Sequence, residues 1–394
     1  MTRVARELCQ LLPRQAEGDS PGSGLPLYRP NRSAQATPSA RALSTSTPSL
    51  RGIRVAPLWG PNAIRRNFVK PWRLSTVLGT AAVACIIAAC KSDSSGPRAS
   101  VPPPKAFTAN PRLHVMLPRG QVRAGPLRDG TAPGDNGIYY HGGPVILAQN
   151  VAAIYWSSRT IYSGGPIPGT TGPGSDDGSL IGYFLNNLGG SPYYNINTTY
   201  TDGAGVPIAN SVTYTEFWAA NDNVPLPLVP VIDLQMQNQI IEGFTTGKLT
   251  YDPNTLYLIF SDALVNLGGA FGIVYCAYHG NFDWNGNDVK YAAMPHDIDF
   301  FDCNALNGSP NNDPAADAEV NTLAHETEET NTDEDLNAWY DNAGNENADK
   351  CAWNFGATYT TGNGSTANMQ IGAKDFLVQQ NWINANGGGC RLNW

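Results

Sequence analysis

Asp313-Pro314-Ala315-Ala316-Asp317-Ala318-Glu319-Val320-Asn321-Thr322-Leu323-Ala324-His325-Glu326-Thr327-Glu328-Glu329-Thr330 is the stretch on which the reading of this chain turns. Asp before Pro is a helix start: the Asp side chain can cap the first turn, and Pro at the first helical position gives up an N–H that has no partner there. Ala316, Val320, Leu323 and Ala324 recur at helical spacing, so the pattern predicts a helix from Asp313 to about Thr330 with that stripe toward a core. On such a helix His325 and Glu329, at i and i+4, present ligand atoms on the same side, with Glu326 beside them.

Working outward, Asn150–Trp156 reads as a strand and the Gly- and Ser-rich run 163–178 as a long loop. Leu180–Leu188 follows the Asp176-Asp177 start signal as a short helix. Ile232, Met236, Ile240 and Phe244 space a second helix over Ile232–Phe244. Thr255–Phe260 and Phe271–Tyr278 read as buried strands, the latter joined through Asp283–Asp288 to Val289–Met294 as a hairpin. The order of elements predicts a single α+β domain over 137–394, a mixed β-sheet packed against helices, and the resemblance of the H-E-x-x-E helix to the H-E-x-x-H zinc motif implies a zincin-like arrangement.

The N-terminal quarter has a different character. Lys70 and Arg73 precede an apolar run, Leu74–Ala89, which ends in Ala88-Ala89-Cys90. A basic start, a short apolar centre and small residues before the cut describe a secretory signal over 69–89. The run is shorter than the ~20 apolar residues that span a bilayer comfortably, though an uncut short anchor is the alternative. The Ala-Ala-Cys end resembles the lipobox of bacterial lipoproteins, which implies lipidation of Cys90 and a mature chain beginning there. Residues 1–68, rich in Arg, Pro and Ser, read as an upstream extension ahead of the true start, disordered if translated. Residues 90–136, with Val101-Pro102-Pro103-Pro104, read as a Pro/Gly-rich tether. The expected location is outside the cytoplasm, on the cell envelope or beyond, with membrane contact through the lipid anchor only.

Twelve of the 25 Lys and Arg, but only three of the 33 Asp and Glu, lie in residues 1–90, leaving 13 against 30 and a net charge of −17 on the mature part. Such a surface repels nucleic acid and suits divalent cations. Cys276, Cys303, Cys351 and Cys390 remain after the cut, an even number that reads as two disulfides in an exported protein. Three connectivities are open; proximity along the chain favours Cys276–Cys303 and Cys351–Cys390. No C-x-x-C pair supports a four-Cys zinc site.

His325-Glu326-x-x-Glu329 is the H-E-x-x-H zinc pattern with its second His replaced by Glu, itself a legitimate zinc ligand. The continuation to Asp333, followed by Asn345-Glu346-Asn347-Ala348-Asp349, resembles the thermolysin-type metallopeptidases, in which H-E-x-x-H-x-x-T-D is followed by N-E-x-x-S-D. Carried over by position, the resemblance implies Zn²⁺ held by His325, Glu329 and Glu346. Glu326 would be the general base for a peptide or cell-surface substrate, and Asp349 would orient His325 from behind. The chain departs from the pattern at Glu329, in the earlier arrival of Glu346, and in the shorter step to Asp349. His279 and His296 are further candidates for the cleft, and His141 reads as structural. Additional Ca²⁺ among Asp333, Asp335, Asp341 and Asp349 is the rival use of this acidic region, although Ala338 and Gly344 stand where an EF-hand needs Gly and Glu. No phosphate loop, nucleophile elbow or dinucleotide fingerprint is present.

Three segments together, Tyr140–Val145 leading into Asn150–Trp156, Tyr275–Gly280, and Leu336–Asp341 with Asp349–Trp353, resemble the bacterial branch of the EXORDIUM, or phosphate-induced protein, family. The resemblance covers the chain from about 138 and implies an extracellular, wall-associated domain without specifying an activity. A non-catalytic surface-binding protein is therefore the alternative to a zinc-metallopeptidase-like hydrolase.

Mass spectrometry of the native protein should find a lipid-modified Cys90 and no peptide from 1–68. Recovery of a peptide spanning Arg51–Arg65 would show the upstream extension to be translated and retained.

Overall fold

The computed structural model describes residues 113–121, 137–305 and 307–394. The proposed extension 1–68, signal 69–89, Cys90 and most of the tether lie outside them. Seven strands form one sheet: β1 Leu113–Met116, β2 Gln149–Trp156, β3 Thr171–Pro173, β4 Val212–Trp218, β5 Thr255–Ser261, β6 Ala277–Trp284 and β7 Asn287–Met294. Their spatial order is β1-β6-β7-β5-β2-β4-β3. The four central strands β7, β5, β2 and β4 are mutually parallel, while β1, β6 and β3 join antiparallel at the edges. The α+β class with a large mixed sheet is thus the observed one.

Strand alternation sorts the side chains to two cores. Val151, Ala153, Tyr155, Leu256, Leu258 and Phe260 meet α1 (Leu180–Leu188) and α3 (Pro314–Thr332) on one face. Ala152, Ile154, Tyr257, Ile259 and Tyr291 meet Met236 and Ile240 of α2 (Asp233–Thr245) on the other. Parallel strands covered on both faces need continuous apolar runs, which is why Leu256–Phe260 shows no polar alternation. Helix α1 starts one step later than its acidic signal: Ser179 caps it through Gly182 N. Asp177 accepts Ser179 N and the hydroxyls of Tyr155 and Tyr214 instead.

Two sequence expectations are corrected. The tether assigned to 90–136 contains β1, which pairs with β6 from Leu113↔Gly280 to Met116↔Ala277. Four residues with half-buried alternation are enough for an edge strand once a partner exists, and nothing local announces the partner. The strand assigned to Phe271–Tyr278 begins only at Ala277. Residues before it turn tightly, with Gly272 at φ +75° and Ile273 and Val274 N–H both bonded to Ala270 O. A short apolar run does not distinguish a strand from a buried loop. The hairpin itself is present, turning at Asn285-Gly286, both with positive φ.

Helix α3 is capped by Asp313, whose side chain accepts from Ala316 N, with Pro314 at the first position, and it runs to Thr332. Every residue from Ala316 to Thr332 is buried, polar ones included. Both disulfides are formed, Cys276–Cys303 with Cα atoms 5.2 Å apart and Cys351–Cys390 with 5.6 Å. The second ties the segment carrying Glu346 and Asp349 to the C-terminal strand pair. No helix among the described residues is long and apolar enough to cross a membrane.

Leu323 is the fully buried residue by which α3 leans on the sheet core. Leu323→Ala should cost about 2–5 kcal/mol of unfolding free energy in a urea titration. A loss below about 1 kcal/mol would mean that α3 is not seated against the sheet as described.

Candidate metal centre

The register of β1 on β6 sets His114 directly across from His279, and the two rings lie 5.5 Å apart. His279 shares the strand face of Ala277, which packs in the core containing α3. Helix α3 brings His325, Glu326 and Glu329 to the same place. Glu346 and Asp349 arrive from the loop after α3, fixed by Asp349 N donating to Glu329 Oε1 at 2.9 Å. Three compact groups result among the described residues: His325, Glu329 and Asp349; His114, Glu329 and Glu346; and His279, Glu326 and Glu329. Glu329 belongs to all three.

The distances separate hydrogen bonds from ligand-like spacings. His325 Nε2 lies 3.1 Å from Glu329 Oε1 and 3.6 Å from Asp349 Oδ1. Ligand atoms on a tetrahedral zinc with ~2.0–2.1 Å bonds are about 3.3 Å apart, so this trio has the right scale. His114 Nε2 to Asp349 Oδ2, 2.7 Å, and His279 Nδ1 to Glu326 Oε2, 2.9 Å, are hydrogen bonds. His325 Nε2, Glu326 Oε1, Glu329 Oε2 and Glu346 Oε2 are all buried without a hydrogen-bond partner. An orphaned buried polar atom costs about 1–3 kcal/mol, and a shared cation would satisfy several of these together.

Burial pushes Glu326 well above the ordinary carboxyl range, with His325 pulling the other way. Burial does the same to Glu346, opposed by His114, and to Glu328, opposed by Asn381. For His325 burial opposes the charge, but Glu329 beside it prevails and raises the ring to about 9. A local contact speaks against a second proton. Gln379 Nε2 lies 3.0 Å from His325 Nδ1 and donates to Ala348 O, while Gln379 Oε1 accepts from Trp353 N. The amide nitrogen therefore meets Nδ1 as a donor, so the neutral ring carries its proton on Nε2, facing Glu329. A cation on Nε2 would move that proton to Nδ1 and require the amide to turn.

All five residues read from the sequence as the site are gathered here, with changed neighbours. Glu346 groups with His114 and Glu329 rather than with His325, and Asp349 takes the third place beside His325. Asp349 does not stand behind His325; Gln379 occupies that position. His279 joins the cluster. His296 stays outside it, with Nδ1 3.3 Å from Asp299 Oδ1, and His141 stacks on Tyr340. Of the acidic group considered for Ca²⁺, Asp333 accepts from Asn337 and Ala338 N, Asp335 from Asn281, and Asp341 from Ala343 and Asn345 N. Only Asp349 of the four falls in a compact ligand group among the described residues. Sequence reasoning missed His114, hidden in an apparent tether, and Gln379, which belongs to no motif.

A second carboxyl pair joins Glu319, nearly two turns back along α3, to Asp297 in the short helical turn Asp297–Asp299. Glu319 Oε2 accepts from Asp297 N, Thr322 donates to the Asp297 carboxylate, and all three residues are fully buried. Burial raises Glu319 to about 8, against the hydrogen bond from Asp297 N. Burial, reinforced by the nearby Glu319 charge, raises Asp297 as well.

A cavity of about 140 Å³ lined by His114, Asp333, Leu336, Tyr340, Gly344 and Glu346 reaches the cluster from outside. Neither family models, nor curated proteins, nor solved structures match this chain.

Glu319 ionises near its ordinary 4.5 in the unfolded chain but near 8 in the fold, so between these values the folded state binds more protons. Its contribution is then complete at low pH and lost as pH rises through about 8. Chelator-treated protein should melt at a lower temperature at about pH 9 than at about pH 5.5, and Glu319→Gln should flatten that dependence. Asp262 and Asp341, held low by their partners, bear only on stability below the ordinary carboxylate range. A melting temperature that rises steadily from pH 5.5 to 9 would contradict the protonated pair.

Proposed function

We propose that the chain is an exported, lipid-anchored, zinc-metallopeptidase-like hydrolase whose zincin-like helix is α3. The observation that carries this reading is the spacing of Glu329 Oε1 and Asp349 Oδ1 at 3.1 and 3.6 Å from the buried His325 Nε2. Zinc held there would polarise a scissile carbonyl and make a nearby water more acidic. Imidazole and carboxylate are the donors such an ion takes.

Glu326 is the general base in this reading. His279 Nδ1 holds its Oε2, which leaves Oε1 without a hydrogen-bond partner and able to accept a proton from water. A divalent charge nearby would offset the burial that keeps Glu326 protonated. The same carboxyl could then pass its proton to the leaving nitrogen. His114 and Glu346, on the cavity wall, are the groups a substrate would meet first. Export and lipid anchoring rest on the Lys70–Cys90 pattern, and the partner is a peptide or cell-surface substrate.

A second reading is favoured by burial. His325, Glu326 and Glu329 are 0 % exposed, and the cavity is smaller than the ~300–1,000 Å³ usual for ligand pockets. On this reading the cation is structural, and the protein binds at the cell surface or wall in the manner the EXORDIUM resemblance implies.

Purified protein should contain zinc and cleave an unfolded protein substrate. Glu326→Gln should retain zinc at His325 while losing roughly 100-fold or more in rate, and His325→Ala should lose both. Zinc without hydrolysis, unchanged by Glu326→Gln, would select the structural cation. Absence of zinc after loading would remove both forms of the metal reading.

A further inference from the structure

Glu329 and Asp349 each divide their two oxygens between the same pair of histidines. Glu329 Oε1 faces His325 Nε2 at 3.1 Å, and Oε2 lies between His114 Nε2 at 3.8 Å and His279 Nδ1 at 3.7 Å. Asp349 Oδ1 faces His325 Nε2 at 3.6 Å, and Oδ2 faces His114 Nε2 at 2.7 Å. Two carboxylates spanning two imidazoles in this way form the frame of a carboxylate-bridged pair of cations, whose members in two-metal hydrolytic sites stand about 3.5–4 Å apart.

We propose that the centre binds two divalent cations: one at His325, one at His114 and Glu346, with Glu329 and Asp349 bridging them. This rests on the metal-centre reading above and extends it. The two terminal sites are distinct in origin, since His325 comes from α3 whereas His114 comes from β1 and Glu346 from the loop after α3. Glu346 Oε1 lies 3.0 Å from His114 Nδ1, the ring nitrogen that does not meet the bridging carboxylates, so for Glu346 to join an ion on Nε2 its side chain must swing across; its Oε2 is buried without a hydrogen-bond partner, as is Glu329 Oε2.

A single zinc with three protein ligands would leave His114 and Glu346 serving no cation. The His114–Asp349 contact is now a hydrogen bond, so seating the second ion requires those atoms to part by several tenths of an ångström. His114 and Glu346 also line the cavity, which puts the second ion on the side from which a substrate arrives. The donor set, imidazole with carboxylate, suits Zn²⁺ or Mn²⁺.

The test is metal stoichiometry and magnetic coupling on the full purified chain. After chelation and titration with Zn²⁺ the wild type should bind about two equivalents, and His114→Ala about one. Loaded with Mn²⁺, the wild type should give the exchange-coupled electron paramagnetic resonance signal of a close pair, and His114→Ala the signal of an isolated ion. One equivalent in the wild type with an isolated-ion spectrum overturns the pair and leaves the single-zinc reading standing. No binding of either ion removes both. Should His114→Ala fail to fold, the wild-type spectrum decides alone.

Discussion

The architecture around α3 depends on an electrostatic constraint: carboxylates have been drawn into the interior of the molecule and must be neutralised there. Helix α3 is buried on every side although much of it is polar. A helix polar all round normally faces solvent or bridges domains, because burying an unpaired charge is costly. Here Glu319, Glu326, Glu328 and Glu329 lie beneath the surface together. Burial favours the protonated form of Glu319, and Glu326 and Glu329 receive hydrogen bonds from His279 and from Asp349 N.

That constraint explains the scaffolding. The parallel centre of the sheet provides a rigid face for α3, and the antiparallel edge strands β6 and β1 add two histidines at matched register. Cys351–Cys390 restrains the loop bearing Glu346 and Asp349, and Gln379 fixes the imidazole of His325 from behind. Each device holds a ligand-bearing segment that would otherwise give up order to chain entropy. A buried ion pair broken on one side costs more than the intact pair contributes, so these supports matter most around the charges.

The two readings of function differ in access rather than in ligand chemistry. A structural cation needs enclosure, which the fully buried α3 residues have. A hydrolytic centre needs a route for substrate, and the cavity beside His114 and Glu346 is the opening toward this cluster. In the proposed pair of cations, one ion would be enclosed at His325 and the other would lie toward the opening.

The sequence alone determined much that is local. Asp313-Pro314 capped the helix, the i, i+4 spacing put His325 beside Glu329, and continuous apolar runs marked the central strands. Chain proximity favoured the disulfide pairing that is observed, and Glu346 and Asp349 were singled out by the resemblance of Asn345–Asp349 to the thermolysin-type motif. What tertiary structure alone decided was partnership across the chain. His114 sits more than two hundred residues from Asp349 in a segment without strong periodicity, and it becomes a site residue only because β1 pairs with β6. Gln379 has no motif, since one amide resembles another until its neighbours are known. The exchange of Glu346 for Asp349 beside His325 was likewise beyond sequence spacing, because a loop between two fixed ends can turn either carboxylate inward. Local periodicity fixes which face a side chain takes, whereas the choice of partner across 200 residues is made by packing and by the need to pair buried charge.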